Sequence, residues 1–373
     1  MASLFETASI GKLALNNRMV RSATWEGMCE PDGRPTRKLI DYYCDLVKGG
    51  IGLIISGYTF VRQDGKQLPG KMGMHTDAFF EDFKQLTKAV HNLGGKIAVQ
   101  LVHAGGQAQS KTIGRTPVAP SGEKTGSYPE APQALSILEI EDLSDSFANA
   151  ARRAKEWGFD AVQIHGAHGY LVSQFLSPFT NLRTDEYGGS LENRSRFLFD
   201  VYEKIRAQVG KDYPVFIKLN GEDHLENGLT QQEGLQIAKQ LSDFGIDAIE
   251  VSSGSAASGK IGPAREKIDT PEKEAYNLDL ALSIKKAVTC PVISVGGFRS
   301  LTIARKAVEQ DGIDFISLSR PLIREPDLPR KWQNNESDQA SCISCNKCFI
   351  PGLSQGGIYC MVQKKMDEKQ NKP

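Results

Sequence analysis

The chain of 373 residues carries 45 Lys plus Arg against 45 Asp plus Glu, a formal charge of zero at pH 7. That balance excludes long-range attraction to nucleic acid or to an anionic membrane surface. Hydrophobic residues make up 40% and charged residues 24%, which suits one large folded domain or two ordinary ones with cores that need no disulfides. No apolar run is long enough to span a bilayer. The first residues, 1–12, hold no basic segment followed by an apolar one, so no leader is expected. The sequence therefore predicts a cytoplasmic enzyme with a small-molecule substrate and no nucleic-acid or membrane partner.

Short β-branched apolar runs recur along the chain. They are Met19–Thr24, Gly52–Gly57, Ile97–His103, Ala161–Gly166, Val215–Asn220, Ala248–Ser253, Pro291–Gly297 and Phe315–Arg320. Continuous apolar character, not alternation, marks strands buried on both faces of a parallel sheet. Helical spacing separates them over Asp77–Leu93, Asp142–Trp157, Leu191–Val209, Thr230–Phe244, Asn277–Val288 and Leu301–Glu309. About eight strand–helix units predict an α/β fold, a (β/α)8 barrel. A doubly wound sheet would place Gly-x-Gly-x-x-Gly after the first strand, where the chain instead reads Trp25-Glu26-Gly27-Met28. The segment Gly105–Leu138, rich in Gly, Pro, Ser and Thr, is a long insertion after the third strand. A loop there is expected to shape an active site, the alternative being a disordered excursion.

A barrel collects its chemistry at the C-terminal ends of its strands. The third strand carries Gln100, an amide that can donate and accept toward a flavin pyrimidine edge, or pair with backbone. The fourth ends in His165-Gly166-Ala167-His168-Gly169-Tyr170. Two imidazoles can donate to one carbonyl oxygen as an oxyanion hole does, and the phenol can supply a proton to carbon. A metal site is the competing reading of the histidines. The fifth strand buries Lys218, placed either for a reduced flavin's negative edge or for an ion pair with Glu250. After the seventh and eighth strands stand Gly296-Gly297 and Ser319-Arg320, where barrels bind phosphate. His75, His91 and His224 read as surface groups, and His103 as a buttress.

These segments resemble the Old Yellow Enzyme family of FMN-dependent NAD(P)H oxidoreductases. The resemblance runs from about Leu4 to Trp332 and is densest at Asn17-Arg18, QLVHAGG (Gln100 to Gly106), PVAPS (Pro117 to Ser121) and Ile164 to Phe197. It implies FMN across the barrel's C-terminal face and hydride transfer from NAD(P)H to the β-carbon of an α,β-unsaturated carbonyl, an ene-reductase. It assigns His165 and His168 to the substrate carbonyl and Tyr170 to proton donation. Gln100 and Lys218 would contact the flavin ring, with Ala23, Thr24 and Gly57 lining it. Gly296, Gly297, Ser319 and Arg320 would hold the phosphate. Family members often associate, which makes a homo-oligomer an expectation. The chain departs from the pattern at Lys218, usually Arg; at Ala23 and Thr24, often Pro and a bulky apolar residue; at Trp25, elsewhere Cys or Thr; and at Ser319, usually Gly.

Seven cysteines, an odd number, argue against a disulfide framework. Four of them form Cys342-x2-Cys345-x2-Cys348-x11-Cys360 in a C-terminal extension, 333–373, that follows a barrel domain, 1–332. Such spacing suits a [4Fe–4S] cluster, four-cysteine zinc or unligated thiols. The tail resembles the 2,4-dienoyl-CoA reductase and trimethylamine dehydrogenase subgroup, in which a cysteine quartet binds a cluster. In those relatives further domains deliver the electrons, whereas here the sequence ends 13 residues past Cys360. The subgroup also supplies an alternative function: a flavin/iron–sulfur dehydrogenase or demethylase passing electrons to a separate protein.

Overall fold

The computed structural model describes residues 2–126 and 128–370. Eight strands run parallel: β1 (Met19–Arg21), β2 (Leu53–Phe60), β3 (Ile97–Val102), β4 (Ala161–Gly166), β5 (Val215–Asn220), β6 (Ala248–Ser252), β7 (Val292–Val295) and β8 (Phe315–Leu318). Each pairs with the next, and β1 pairs with both β8 and β2, so the sheet closes. The architecture is the expected (β/α)8 barrel. A register shift between Ile55 and Tyr58 marks a bulge in β2 where it meets β3. No helix among the described residues is long and apolar enough to cross a membrane.

Helices α1 (Arg37–Lys48), α2 (Phe80–Asn92), α3 (Ile137–Glu156), α4 (Leu191–Val209), α5 (Gln231–Asp243), α6 (Leu278–Lys285) and α7 (Leu301–Arg305) are among those that follow the strands. α3 begins before the predicted start at Asp142. Ser136 and Glu139 form a reciprocal capping box there, a stronger helix start than one acidic residue. Thr230 and Glu233 cap α5 in the same way. α7 runs into a π-helical turn over Lys306–Gln310. A 3₁₀ turn, Asp77–Phe79, leads into α2.

Two layers fill the barrel. Side chains alternate in and out along each strand, so inward positions recur every second residue. At the bottom an antiparallel hairpin, Ala8–Ile10 with Leu13–Leu15, closes the barrel. Its Ile10, Leu13 and Leu15 pack against Val20, Leu53, Ala98, Ala161, Phe216, Ala248, Ile293 and Phe315. Two residues further along the strands the lining turns polar: Ser22, Gln100, Gln163, Lys218 and Glu250, all buried.

Two segments cover the mouth. The insertion after β3 is folded: a 3₁₀ turn Gly105–Gln107, a short helix Ser110–Ile113, and a parallel pairing of Val118–Ala119 with Gln133–Ala134. Ser127 lies outside the described residues. The C-terminal segment crosses from β7 toward β1. Leu301 N donates to Asp338 O at 2.9 Å, Ala340 N to Arg299 O at 2.7 Å, and Ile358 N to Glu26 O at 2.8 Å.

Candidate active site

The polar layer is one connected network. Gln100 Nε2 donates to Gln163 Oε1 at 2.8 Å, and Gln163 Nε2 donates to Glu250 Oε2 at 2.8 Å. Ser22 Oγ donates to Glu250 Oε1 at 2.8 Å and accepts from Lys218 Nζ at 2.7 Å. Lys218 completes the circuit with an ion pair to Glu250 at 3.2 Å. The two residues stand opposite each other in the β5–β6 register. Burial lowers the Lys218 pKa while Glu250 supports its charge. Lys218 thus makes the expected pair with Glu250 and also lines the cavity above. Gln163 was absent from the sequence reading. Its position two residues before His165 on the inward face is the signal that could have found it.

Beyond the end of β4 the backbone turns through two left-handed residues, His168 (φ 63°) and Gly169 (φ 74°). This turn brings three rings together. His165 lies 5.0 Å from His168 and 4.9 Å from Tyr170, centroid to centroid, edge-on in both cases. Ala167 N donates to His165 Nδ1 at 3.3 Å, which places that ring's proton on Nε2. His168 Nε2 pairs with Ser252 Oγ at 2.7 Å. Burial, together with the Lys218 cation, holds both imidazoles well below the usual histidine pKa, so both are neutral near pH 7. Burial pushes the Tyr170 phenol up to about 12, so it stays protonated.

A pH dependence follows. In the unfolded chain these histidines take up protons below about pH 6.5, and in the folded chain they do so only further down. The unfolded state binds more protons in that window, so this part of the stability is complete above pH 6.5 and is lost as pH falls from there. The melting temperature should drop between pH 7 and 5. A His165→Gln, His168→Gln double variant should drop less, and an equal drop would show that the pair does not titrate in this way.

Above the network opens a cavity of about 280 Å³. Ala23, Thr24, His168, Tyr170, Lys218, Gly296, Gly297, Ser319 and Arg320 line it. Gly57, Gln100 and His165 sit behind that lining. Gly57 N donates to Glu26 Oε1 at 3.1 Å, and a Cβ there would stand 2.6 Å from Thr24 O. Gly57 is thus needed where the cavity wall packs on β2. Thr24 Oγ1 and Ser319 Oγ, 2.7 Å apart, join the ends of β1 and β8. Gly296 (φ 141°) and Gly297 (φ 75°) pass so close to Tyr276 that a Cβ at either would approach its ring to 2.7 and 2.9 Å. Only glycine allows this close approach to Tyr276, and both glycines line the cavity. Ser317 Oγ, also on the wall, has no protein partner. A buried ammonium, an unpartnered hydroxyl, glycine backbone and Arg320 around one cavity fit an anionic, flat, hydrogen-bonding cofactor such as FMN.

Other wall residues escaped the sequence reading. Tyr276 precedes α6 and Phe298 follows β7, while Ser344 and Phe349 reach the wall on the C-terminal segment that crosses the mouth. Gln67 escaped too: its Oε1 accepts from Tyr170 Oη at 2.9 Å.

Arg320 separates this cavity from a second, small one of about 20 Å³, and lines both. Its Nη1 donates to Arg265 O at 2.8 Å and to Asn346 Oδ1 at 2.7 Å. Cys342, Cys345, Cys348 and Cys360 all line the small chamber, and none of them is in a disulfide. Burial first, then the neighbouring Cys342, pushes Cys348 up to about 12, against the pull of Arg320. Even so, no group of three or more His, Cys, Asp or Glu among the described residues is placed to hold a single metal ion. The thiols surround a space and do not converge on a point.

This constellation on a closed barrel defines a class, the flavin-binding (β/α)8 oxidoreductases. The chain belongs to the NADH:flavin oxidoreductase / NADH oxidase family, whose model matches residues 3–339. It is 38% identical over 355 residues to an NADH oxidase of Thermoanaerobacter brockii. That match covers 94% of this chain and 54% of that protein, so the chain spans about half the length of the relative. Among solved structures, 2-naphthoyl-CoA reductase in complex with 2-naphthoyl-CoA superposes with a TM-score of 0.89 at 28% identity, over 99% of this chain and 58% of that one. An Old Yellow Enzyme homologue from Zymomonas mobilis gives 0.79 at 32% identity, over 92% of this chain and 95% of that one.

Proposed function

We propose that the protein is an FMN-dependent ene-reductase that uses a reduced nicotinamide to saturate the carbon–carbon double bond of an α,β-unsaturated carbonyl compound. The observation that carries this reading is the meeting of His165, His168 and Tyr170 beside a cavity that also holds Lys218. Bound there, FMN would supply the hydride chemistry, taking a hydride from NAD(P)H and returning one to the β-carbon. Ala23, Thr24 and Lys218 would hold its ring, with Gln100 and Gly57 supporting from behind, and Gly296, Gly297, Ser319 and Arg320 its phosphate. The chain's own groups do the rest. Neutral His165 and His168 donate to the carbonyl oxygen and stabilise the negative charge that develops there. Neutral donors suit this step, because they polarise the oxygen without giving up a proton to it. Tyr170, protonated at neutral pH, delivers its proton to the α-carbon.

The 333–373 extension, on the same reading, carries an iron–sulfur cluster. Cys342, Cys345, Cys348 and Cys360 around one chamber suit the corners of a [4Fe–4S] cube better than the single centre of a zinc ion. Anaerobic purification with flavin, iron and acid-labile sulfide assays tests both halves. The expected result is turnover of NADH or NADPH with an enone in the absence of any electron-transfer protein. If turnover appears only with an amine substrate and a protein acceptor, the dehydrogenase alternative replaces this reading. Flavin without iron or sulfide removes the cluster alone.

A further inference from the structure

Lys71 has no part in the reading above, yet it is buried beside the proton donor. It is 2% exposed, and its single hydrogen bond goes to a neutral group, Gln67 Oε1, at 3.0 Å. That same oxygen accepts from the Tyr170 hydroxyl at 2.9 Å. Lys71 Nζ stands 3.4 Å above the centroid of Tyr58 and 5.5 Å from that of Tyr170, and the two rings meet edge to face at 5.1 Å. We propose that Lys71 is a positioning residue whose ammonium, sharing Gln67 with the phenol, makes Tyr170 a stronger proton donor. This rests on the ene-reductase reading for its consequence, though not for its measurement.

Placement and chemistry both argue for it. The segment is fixed and cannot swing away. Met72 and Gly73 pair with Thr59 and Phe60 of β2, Gly70 (φ 61°) is pressed on the backbone of Gly27, and Pro69 O accepts from Trp25 Nε1 at 3.2 Å. A buried lysine without a carboxylate partner is costly and needs a reason. A cation over a tyrosine ring recovers part of that cost. When Tyr170 protonates the α-carbon, its O–H bond breaks, a C–H bond forms, and the oxygen keeps the electron pair. A phenolate would then lie in a site where water screens little, and a fixed cation nearby stabilises it. Water restores the proton between turnovers.

The charged and titratable groups facing this pair come from four elements. Glu26, after β1, supports the Lys71 charge. Tyr58 lies on β2. His165, on β4, and His168, just after it, are held neutral by burial and by the Lys218 cation of β5. Burial pulls Lys71 well below its usual pKa, while Tyr170 is pushed up to about 12. As pH rises, Lys71 therefore loses its proton first, and the help it gives ends while Tyr170 still carries its own.

The test is a double-mutant cycle on enone-driven reoxidation of the reduced holoenzyme. K71Q and K71M should slow that step by about ten- to a hundredfold and leave reduction by NAD(P)H unchanged. In a Tyr170→Phe background they should cost nothing further. The alkaline fall in the wild-type rate should vanish in K71Q and shift upward in K71R, which keeps a charge at high pH. Equal slowing in the Tyr170→Phe background, or equal loss in both half-reactions, would overturn the proposal in favour of a structural cation–π contact. Tyrosine-Cζ ¹³C NMR supplies a readout without turnover: in wild type the Tyr170 signal should step as Lys71 loses its proton, before the phenol itself ionises, and K71Q should lack that step. If no enone is reduced at all, the functional reading fails, and this titration still decides Lys71. A wild-type titration without that step overturns the proposal.

Discussion

Tyr170→Phe should slow reoxidation of the reduced holoenzyme by an enone about 10²- to 10⁴-fold, the usual weight of a positioned general acid, and leave reduction by NAD(P)H nearly untouched. The asymmetry is the informative part. Reduction moves a hydride between two cofactors and needs no proton from the phenol, whereas saturation of the double bond needs one at the α-carbon. The change removes only the hydroxyl and its bond to Gln67. The ring, packed edge-on against His165 and Tyr58, remains. Stopped-flow absorbance of the two half-reactions separates the effects. Equal slowing of both would assign Tyr170 to building the site and not to proton transfer.

The second large effect is on stability. Glu250 and Lys218 are both buried, with side chains 0% and 3% exposed. Removing one partner of such a pair strands the other charge in a low-dielectric interior, at a cost of about 3–5 kcal/mol. Glu250→Ala also deprives Gln163 Nε2 and Ser22 Oγ of their acceptor. A large fall in the urea midpoint is expected, with flavin loss beside it because Lys218 lines the cavity. Glu250→Leu combined with Lys218→Met should recover most of the stability and none of the activity, since an apolar pair of similar volume often replaces a buried ion pair without penalty. If Glu250→Ala unfolds at the wild-type midpoint, the pair does not hold the polar layer together.

How far the sequence reached can be read from particular elements. The strands were legible because a parallel barrel buries both faces of each strand, and eight apolar runs stand out for that reason. α4 matched its expected bounds, Leu191–Val209, because Ser190 and Gly210 punctuate it. The start of α3 lies upstream of Asp142, an acidic residue inside the helix, because the Ser136–Glu139 capping box sets it. At the site, His165, His168, Tyr170 and Lys218 were legible as polar groups at ends of apolar strands. Gln163 and Ser22 were not, because one buried amide or hydroxyl reads as an ordinary core group until its partners are known. Gln67 and Lys71 were hidden for another reason. Their loop follows β2 with no chemical signature of its own, and only the closed barrel brings it over Tyr170. The cysteine quartet was plain from its spacing, but that its chamber shares Arg320 with the main cavity is a property of the fold alone.

The most direct test of the account is a crystal structure of the flavin-loaded holoenzyme with an unreactive carbonyl ligand. The isoalloxazine is expected in the 280 Å³ cavity beside Lys218, its phosphate at Gly296, Gly297 and Arg320, and the ligand's oxygen between His165 and His168 with Tyr170 over its α-carbon. A flavin seated elsewhere, or a ligand oxygen turned away from both imidazoles, would contradict it.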